Sequence, residues 1–105
     1  MSGGILGLLG LGVRAGQVVI GVDGTRRALQ AGQVRCVVVA ADASPRALDK
    51  VIRLARAQGV PLVTGPDAAL IGRQVGRPPV MAAGVRDRAL ADGIGRRARE
   101  VPQED

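Results

Sequence analysis

Residues 34–64, VRCVVVAADASPRALDKVIRLARAQGVPLVT, give the clearest indication of the fold. The run from Val34 to Ala41 is almost continuously apolar, which is typical of a strand buried on both faces of a sheet. A turn follows this run, in which Ser44 can cap a helix and Pro45 can occupy its first position. The segment therefore predicts a central strand that leads directly into a helix.

The helix after Pro45 has one apolar face and ends at Gly59. The apolar face consists of Leu48, Val51, Ile52 and Ala55. Residues 60–64 form a second apolar strand, in which Pro61 fits only at the start or on an edge. Two strands joined by a helix predict a parallel pair with a right-handed connection.

The sequence on either side of this unit predicts further alternating helices and strands. Helical spacing, β-prone runs and glycines place them at residues 4–15 (helix), 17–20 (strand), 23–32 (a helix capped by Asp23), 67–70 (short helix), 72–79 (loop), 80–85 (strand) and 86–99 (helix). We expect residues 100–105 to form a frayed tail. The order predicts one α/β domain over residues 1–99, a three-layer α/β/α sandwich with a mixed sheet of about four strands.

The composition excludes several kinds of functional site. The 105-residue chain has no Phe, Tyr or Trp, so it has no aromatic platform on which single-stranded bases could stack. It has no His and one Cys, which excludes a His-based catalytic triad, a His/Cys zinc site and an internal disulfide. We expect Cys36 to be a small buried side chain in a core of Val, Leu, Ile and Ala.

The charge balance is strongly positive. The net charge is +6 at pH 7 with a pI of ≈ 11.4, and nearly all of the cations are arginines. Such an excess favours polyanionic partners, above all nucleic acid. Residues 5–13 are apolar, but they are too short to span a bilayer and lack a preceding basic region. The sequence therefore predicts a cytoplasmic protein without a membrane partner.

Neither a nucleotide site nor an active site is predicted. Gly10, Gly12 and Gly16 approximate a dinucleotide-binding fingerprint, but the strand that must precede such a fingerprint is absent. The carboxylates are not placed in pairs that suit catalysis. They are Asp23, Asp42, Asp49 and Asp67. We expect a non-catalytic protein without a cofactor, a metal ion or a small-molecule substrate.

Residues 14–27, RAGQVVIGVDGTRR, resemble the segment that opens the RNA site of the L7Ae family of kink-turn-binding ribosomal proteins, above all its short bacterial members. Those proteins have a helix, Arg-Ala-Gly, a short strand, Gly and a second helix that ends in Gly, where this chain has Gly32. Further blocks match in order and spacing at residues 37–45, 60–63 and 71–78. The resemblance covers residues 5–97 and implies an α/β/α fold.

The resemblance implies binding of a kinked RNA duplex by the start of the second helix and the loop before the last strand. In the family an Asn-Glu pair contacts base edges and a Lys one turn later contacts phosphate; the matching residues here are Asp23, Gly24 and Arg27. Glycine has no side chain and Asp lacks the amide donor of Asn, so we expect backbone phosphate contacts to dominate. The implied RNA-binding residues are Gly21, Asp23, Gly24, Thr25, Arg26, Arg27, Arg73, Arg77, Pro78 and Pro79.

Two alternatives stay open at the level of sequence. Asp23 can be an ordinary helix cap, and Arg26 and Arg27 can lie on a solvated helix face, since adjacent helical residues diverge by about 100°. The missing Asn-Glu pair also fits a protein-interaction module that keeps the fold without specific RNA recognition. The leading expectation is non-catalytic binding of structured RNA, either kink-turn-like or ribosomal, and the alternative is a protein partner.

Overall fold

Helices and strands alternate along residues 4–100, which are the residues that the computed structural model describes, with side chains as far as residue 98. The elements are α1 (Ile5–Arg14), β1 (Val18–Ile20), α2 (Val22–Gln30), β2 (Cys36–Val39), α3 (Pro45–Ala57), β3 (Leu62–Thr64), α4 (Ala68–Val75), β4 (Ala82–Val85) and α5 (Arg88–Glu100). The predicted order of elements is confirmed. Residues 101–105, which belong to the predicted tail, lie outside the described residues.

The strands form one mixed four-stranded sheet in the order β1-β4-β2-β3. β4 is antiparallel to both β1 and β2, whereas β2 and β3 are parallel, with Val37 beside Leu62. The parallel pair is the one that the sequence predicts around α3. Pro61 precedes the edge strand β3, and its carbonyl accepts the Val37 N–H (2.9 Å). Because Pro61 lies just before the paired residues of β3, it does not interrupt the pairing of Leu62–Thr64 with β2.

Helices cover both faces of the sheet. Cys36 and Val38 of β2 pack in the cluster that contains residues of α1, α4 and α5, whereas Val37 packs in the cluster of α2 and α3. The largest fully buried side chains are aliphatic: Leu9, Leu29, Ile71 and Ile94. This arrangement is the predicted three-layer α/β/α sandwich.

The start of α2 differs from the sequence prediction, which places a capping side chain at Asp23. The helix begins at Val22, so Gly21 is the residue before its first turn and Asp23 lies within that turn. Among the residues that the structure describes, no side chain caps α2. The positive φ of Gly21 (96°) turns the chain directly from β1 into the helix, which therefore starts earlier than a cap at Asp23 would allow.

The helix α4 continues beyond its predicted end at residue 70 and takes up the first half of the predicted loop. Ile71 and Gly72 are buried, so the inward face of α4 extends along this part of the chain. Gly76 adopts a left-handed conformation (φ 72°) and ends the helix. The helix α5 also forms, although Gly93 and Gly95 lower its intrinsic helix propensity, because buried Ile94 anchors it on the sheet.

Cys36 is 2% exposed, and the prediction of a small buried side chain is confirmed. Burial raises the pKa of its thiol to about 11, so the thiol is neutral at physiological pH. Within residues 4–100, no helix combines the length and the apolar character needed to cross a membrane.

Candidate nucleic-acid interface

One edge of the sheet brings together the start of α2 and the loop before β4. The Gly21 N–H donates to the Ala82 carbonyl (2.8 Å), which fixes the end of β1 beside the start of β4. The Ala40 N–H donates to the Met81 carbonyl (2.8 Å), so the end of β2 lies at the same edge. We call this surface the α2 edge; it consists of residues 21–27, the α4–β4 loop (residues 76–81) and the β2–α3 turn with the start of α3 (residues 40–46).

Gly21 sets the direction of α2. Its φ of 96° and ψ of 160° lie in a region that L side chains rarely adopt. Its carbonyl accepts the Thr25 N–H (3.0 Å), which opens the helical hydrogen-bond pattern. Since the N–H groups of a first turn lack partners within the helix, the start of α2 presents hydrogen-bond donors and a partial positive charge at the α2 edge.

Asp23 and Gly24 stand where the family resemblance implies base contacts. The Asp23 carboxylate is exposed, and its Oδ1 lies 3.8 Å from Nη2 of Arg26. Gly24 faces β1: a Cβ atom at this position would lie 2.8 Å from Cγ1 of Val19. The space for a glutamate at residue 24 is therefore partly occupied by Val19, and the chain has no side chain there that could contact a base.

Within the α2 edge, the Thr25 side chain points inward and is fully buried (0% exposed). It packs on Gly84 of β4, where an added Cβ would be 3.3 Å from Cγ2 of Thr25. The Thr25 side chain therefore fixes α2 on the sheet, and a role of residue 25 in RNA binding stays a prediction.

Thr25→Val is expected to raise the free energy of unfolding by about 1 kcal/mol. The Thr25 hydroxyl is buried and has no hydrogen-bond partner among the described residues, and such a group destabilises the folded state. Valine keeps the shape and removes the hydroxyl. Urea unfolding followed by circular dichroism measures the change, with Thr25→Ser as the control that keeps the hydroxyl and removes the methyl group. A valine variant less stable than the wild type would contradict this description.

The two adjacent arginines of α2 point in different directions. Arg27 is exposed. Arg26 is partly buried and lines a groove between α2 and α3 together with Lys50 and Arg53. Of the pair, Arg27 is therefore the one whose side chain is open to a ligand at the α2 edge.

The α4–β4 loop, which belongs to the α2 edge, runs back along α4. The Arg77 N–H donates to the Gly72 carbonyl (2.8 Å), and the Val80 N–H donates to the Ala68 carbonyl (3.0 Å). Gly72 lies directly under the loop, because a Cβ atom there would overlap the carbonyl oxygen of Pro78. The loop presents these exposed residues: Gly76, Arg77, Pro78, Pro79 and Met81. Arg73 is also exposed, in the last turn of α4, and its carbonyl accepts the N–H of Gly76 at the start of the loop (3.3 Å).

Sequence reasoning missed two charged residues of the α2 edge. Oδ1 of Asp42 accepts the Ala68 N–H (2.8 Å) and so joins the β2–α3 turn to the start of α4. Arg46 is exposed in the first turn of α3. The sequence signal for Arg46 was the helix start at Ser44-Pro45, because a helix that begins there places residue 46 close to the carboxyl end of β2.

Comparison with known proteins gives a consistent result for sequence and for structure. A model of the ribosomal protein L7Ae/L30e/S12e/Gadd45 family matches residues 5–92. An RNA-binding protein of Geobacillus sp. (strain WCH70) is 36% identical over 61 residues, which make up 58% of this chain and 74% of that protein. A Bacillus halodurans C protein with unknown function superposes with a TM-score of 0.84 at 27% identity, over 90% of this chain and 96% of that chain. The Giardia lamblia 15.5kD RNA binding protein shares the fold, with a TM-score of 0.77 at 22% identity over 92% of this chain and 83% of that chain.

The family match includes all three parts of the α2 edge (residues 21–27, 40–46 and 76–81), because it runs from residue 5 to residue 92. The similarity of the solved structures extends over nine-tenths of the chain and shows that the fold is shared. The chain belongs to the ribosomal protein L7Ae/L30e/S12e/Gadd45 family.

Proposed function

We propose that this chain binds structured RNA at the α2 edge, without catalysis and mainly through the RNA backbone. The observation that carries the proposal is the hydrogen bond from Gly21 to Ala82, which holds a helix N-terminus beside the α4–β4 loop. Two similar proteins, from Geobacillus and from Giardia lamblia, are named as RNA-binding proteins. Family membership makes a kinked duplex, of ribosomal or other RNA, the proposed ligand.

The proposed contacts follow from the position of each group. The first-turn N–H groups of α2 donate to a phosphate oxygen, and Arg27 and Arg77 contact neighbouring phosphates from the helix and from the loop. Pro78 and Pro79 offer exposed apolar surface to an unstacked nucleotide. Asp23 can accept a hydrogen bond from a base amino group but repels phosphate. The interface therefore recognises the path of the backbone more than the identity of the bases.

Titration of the protein with a kinked duplex and with a straight duplex of equal length and base composition tests this proposal. The three phosphate contacts predict that the affinity for the kinked duplex falls by about 40-fold between 50 and 200 mM salt. We expect the kinked duplex to bind more tightly at every salt concentration, because only a bent backbone meets the helix and the loop together.

Absence of binding to either RNA at low salt would reject the proposal and would favour a protein partner. Equal affinity for the two duplexes would retain the phosphate contacts and reject the kinked duplex as the preferred ligand.

A further inference from the structure

A groove between α2 and α3 collects positive charge beside the α2 edge. Its volume is ≈ 400 Å³. The residues that line it are Arg26, Gln30, Lys50, Arg53 and Leu54. Among these residues there are cations, an amide and an aliphatic side chain, but no carboxylate. We call it the α2/α3 groove.

The charges of the α2/α3 groove are incompletely balanced by the protein itself. Arg26 reaches Asp23 only at 3.8 Å, and its Nε is shielded from solvent with no hydrogen-bond partner among the described residues. Arg53 is paired with Asp49, the residue one turn before it on α3. Lys50 has no ion-pair partner among the residues that the structure describes. Cations that converge in this way repel one another unless an anion lies between them.

A stripe of cations on α3 connects the groove to the α2 edge. Arg46, Lys50 and Arg53 are spaced by four and three residues, so they lie along one side of the helix, and each is exposed. The stripe begins in the first turn of α3, which belongs to the α2 edge, and it extends over about 10 Å of helix. An RNA strand carries phosphates at shorter intervals than this, so one strand can contact more than one of these cations.

We infer that an RNA strand bound at the α2 edge continues along the α2/α3 groove, where its phosphodiester groups contact Lys50, Arg53 and the guanidinium of Arg26. This inference rests on the proposed function and adds a second part to the binding surface. It assigns the groove to one arm of the kinked duplex. The exposed part of the Arg26 guanidinium and the amide of Gln30 then donate hydrogen bonds to phosphate and ribose oxygens.

Charge reversal at Lys50, compared with the same change at Arg56, tests the inference. Arg56 is exposed on the same helix but does not line the groove. Lys50→Glu is expected to weaken binding of the kinked duplex about tenfold and to lower the magnitude of the salt slope by about 1. Arg56→Glu is expected to change the affinity by about twofold at most. Circular dichroism confirms that both variants are folded.

Two further measurements distinguish contacts in the groove from a general effect of net charge. Asp49→Asn removes the carboxylate beside Arg53 and is expected to tighten binding about threefold. When the duplex arm that lies along the groove is shortened to about two base pairs, Lys50→Glu and Arg56→Glu should have the same affinity for the RNA. If the wild type binds no RNA, the proposed function itself fails. If the wild type binds the kinked duplex and the two charge reversals lower its affinity equally, the groove is not part of the interface.

Discussion

Gly72→Ala is expected to lower the free energy of unfolding by about 2 kcal/mol, although alanine is the better helix former by about 1 kcal/mol. The Cβ of alanine would overlap the carbonyl oxygen of Pro78 and lie 2.8 Å from the carbonyl oxygen of Arg77. Both atoms belong to the backbone, so no side-chain rotation can relieve the overlap. The α4–β4 loop must move away from α4, and we expect the affinity for RNA to fall together with the stability.

Gly7→Ala is the matched control for this substitution. Gly7 lies inside α1, and a Cβ atom there meets no described residue within 4 Å. The same chemical change is therefore expected to raise the free energy of unfolding by up to about 1 kcal/mol. Urea unfolding of both variants measures the two opposite shifts. A Gly72→Ala variant as stable as Gly7→Ala would show that the loop does not pack on Gly72.

The sandwich was predictable because its local patterns agree with one another. The apolar run of β2, the Ser44-Pro45 helix start and Gly59 define a strand–helix–strand unit before any tertiary contact is known. The pairing of β4 between β1 and β2 was not predictable in the same way. It depends on contacts between distant residues, such as Val37 beside Gly84, for which periodicity carries no information.

The candidate site was predictable as a set of segments but not as a set of side-chain directions. The resemblance placed the start of α2 and the α4–β4 loop at the interface, and the hydrogen bond from Gly21 to Ala82 brings them to one edge. It could not separate Arg26 from Arg27, or show that Thr25 is buried, because these differences depend on the rotation of α2 against the sheet. The α2/α3 groove was missed for a related reason: its cations come from two helices and converge only after folding.

Reversal of both cations of the α2 edge, in Arg27→Glu/Arg77→Glu, is expected to weaken binding of the kinked duplex about 100-fold, because each charged hydrogen bond to phosphate contributes about 1.5 kcal/mol. The two arginines are exposed on separate elements, the helix and the loop, so their reversal affects both sides of the edge. The magnitude of the salt slope should fall by about 2, one for each phosphate that is no longer neutralised. Fluorescence anisotropy over a salt series measures both quantities.

Arg56→Glu/Arg97→Glu changes the net charge by the same amount at exposed positions outside the α2 edge and the α2/α3 groove. If long-range attraction by the net charge were the whole cause of binding, the two double variants would show equal reductions in affinity. Local phosphate contacts predict a reduction of only a few-fold for Arg56→Glu/Arg97→Glu, which should disappear above about 0.15 M salt, where charges more than about 8 Å apart are screened. The ratio of the two affinities at that salt concentration therefore measures the contribution of the α2 edge itself, and a ratio of one would remove Arg27 and Arg77 from the interface.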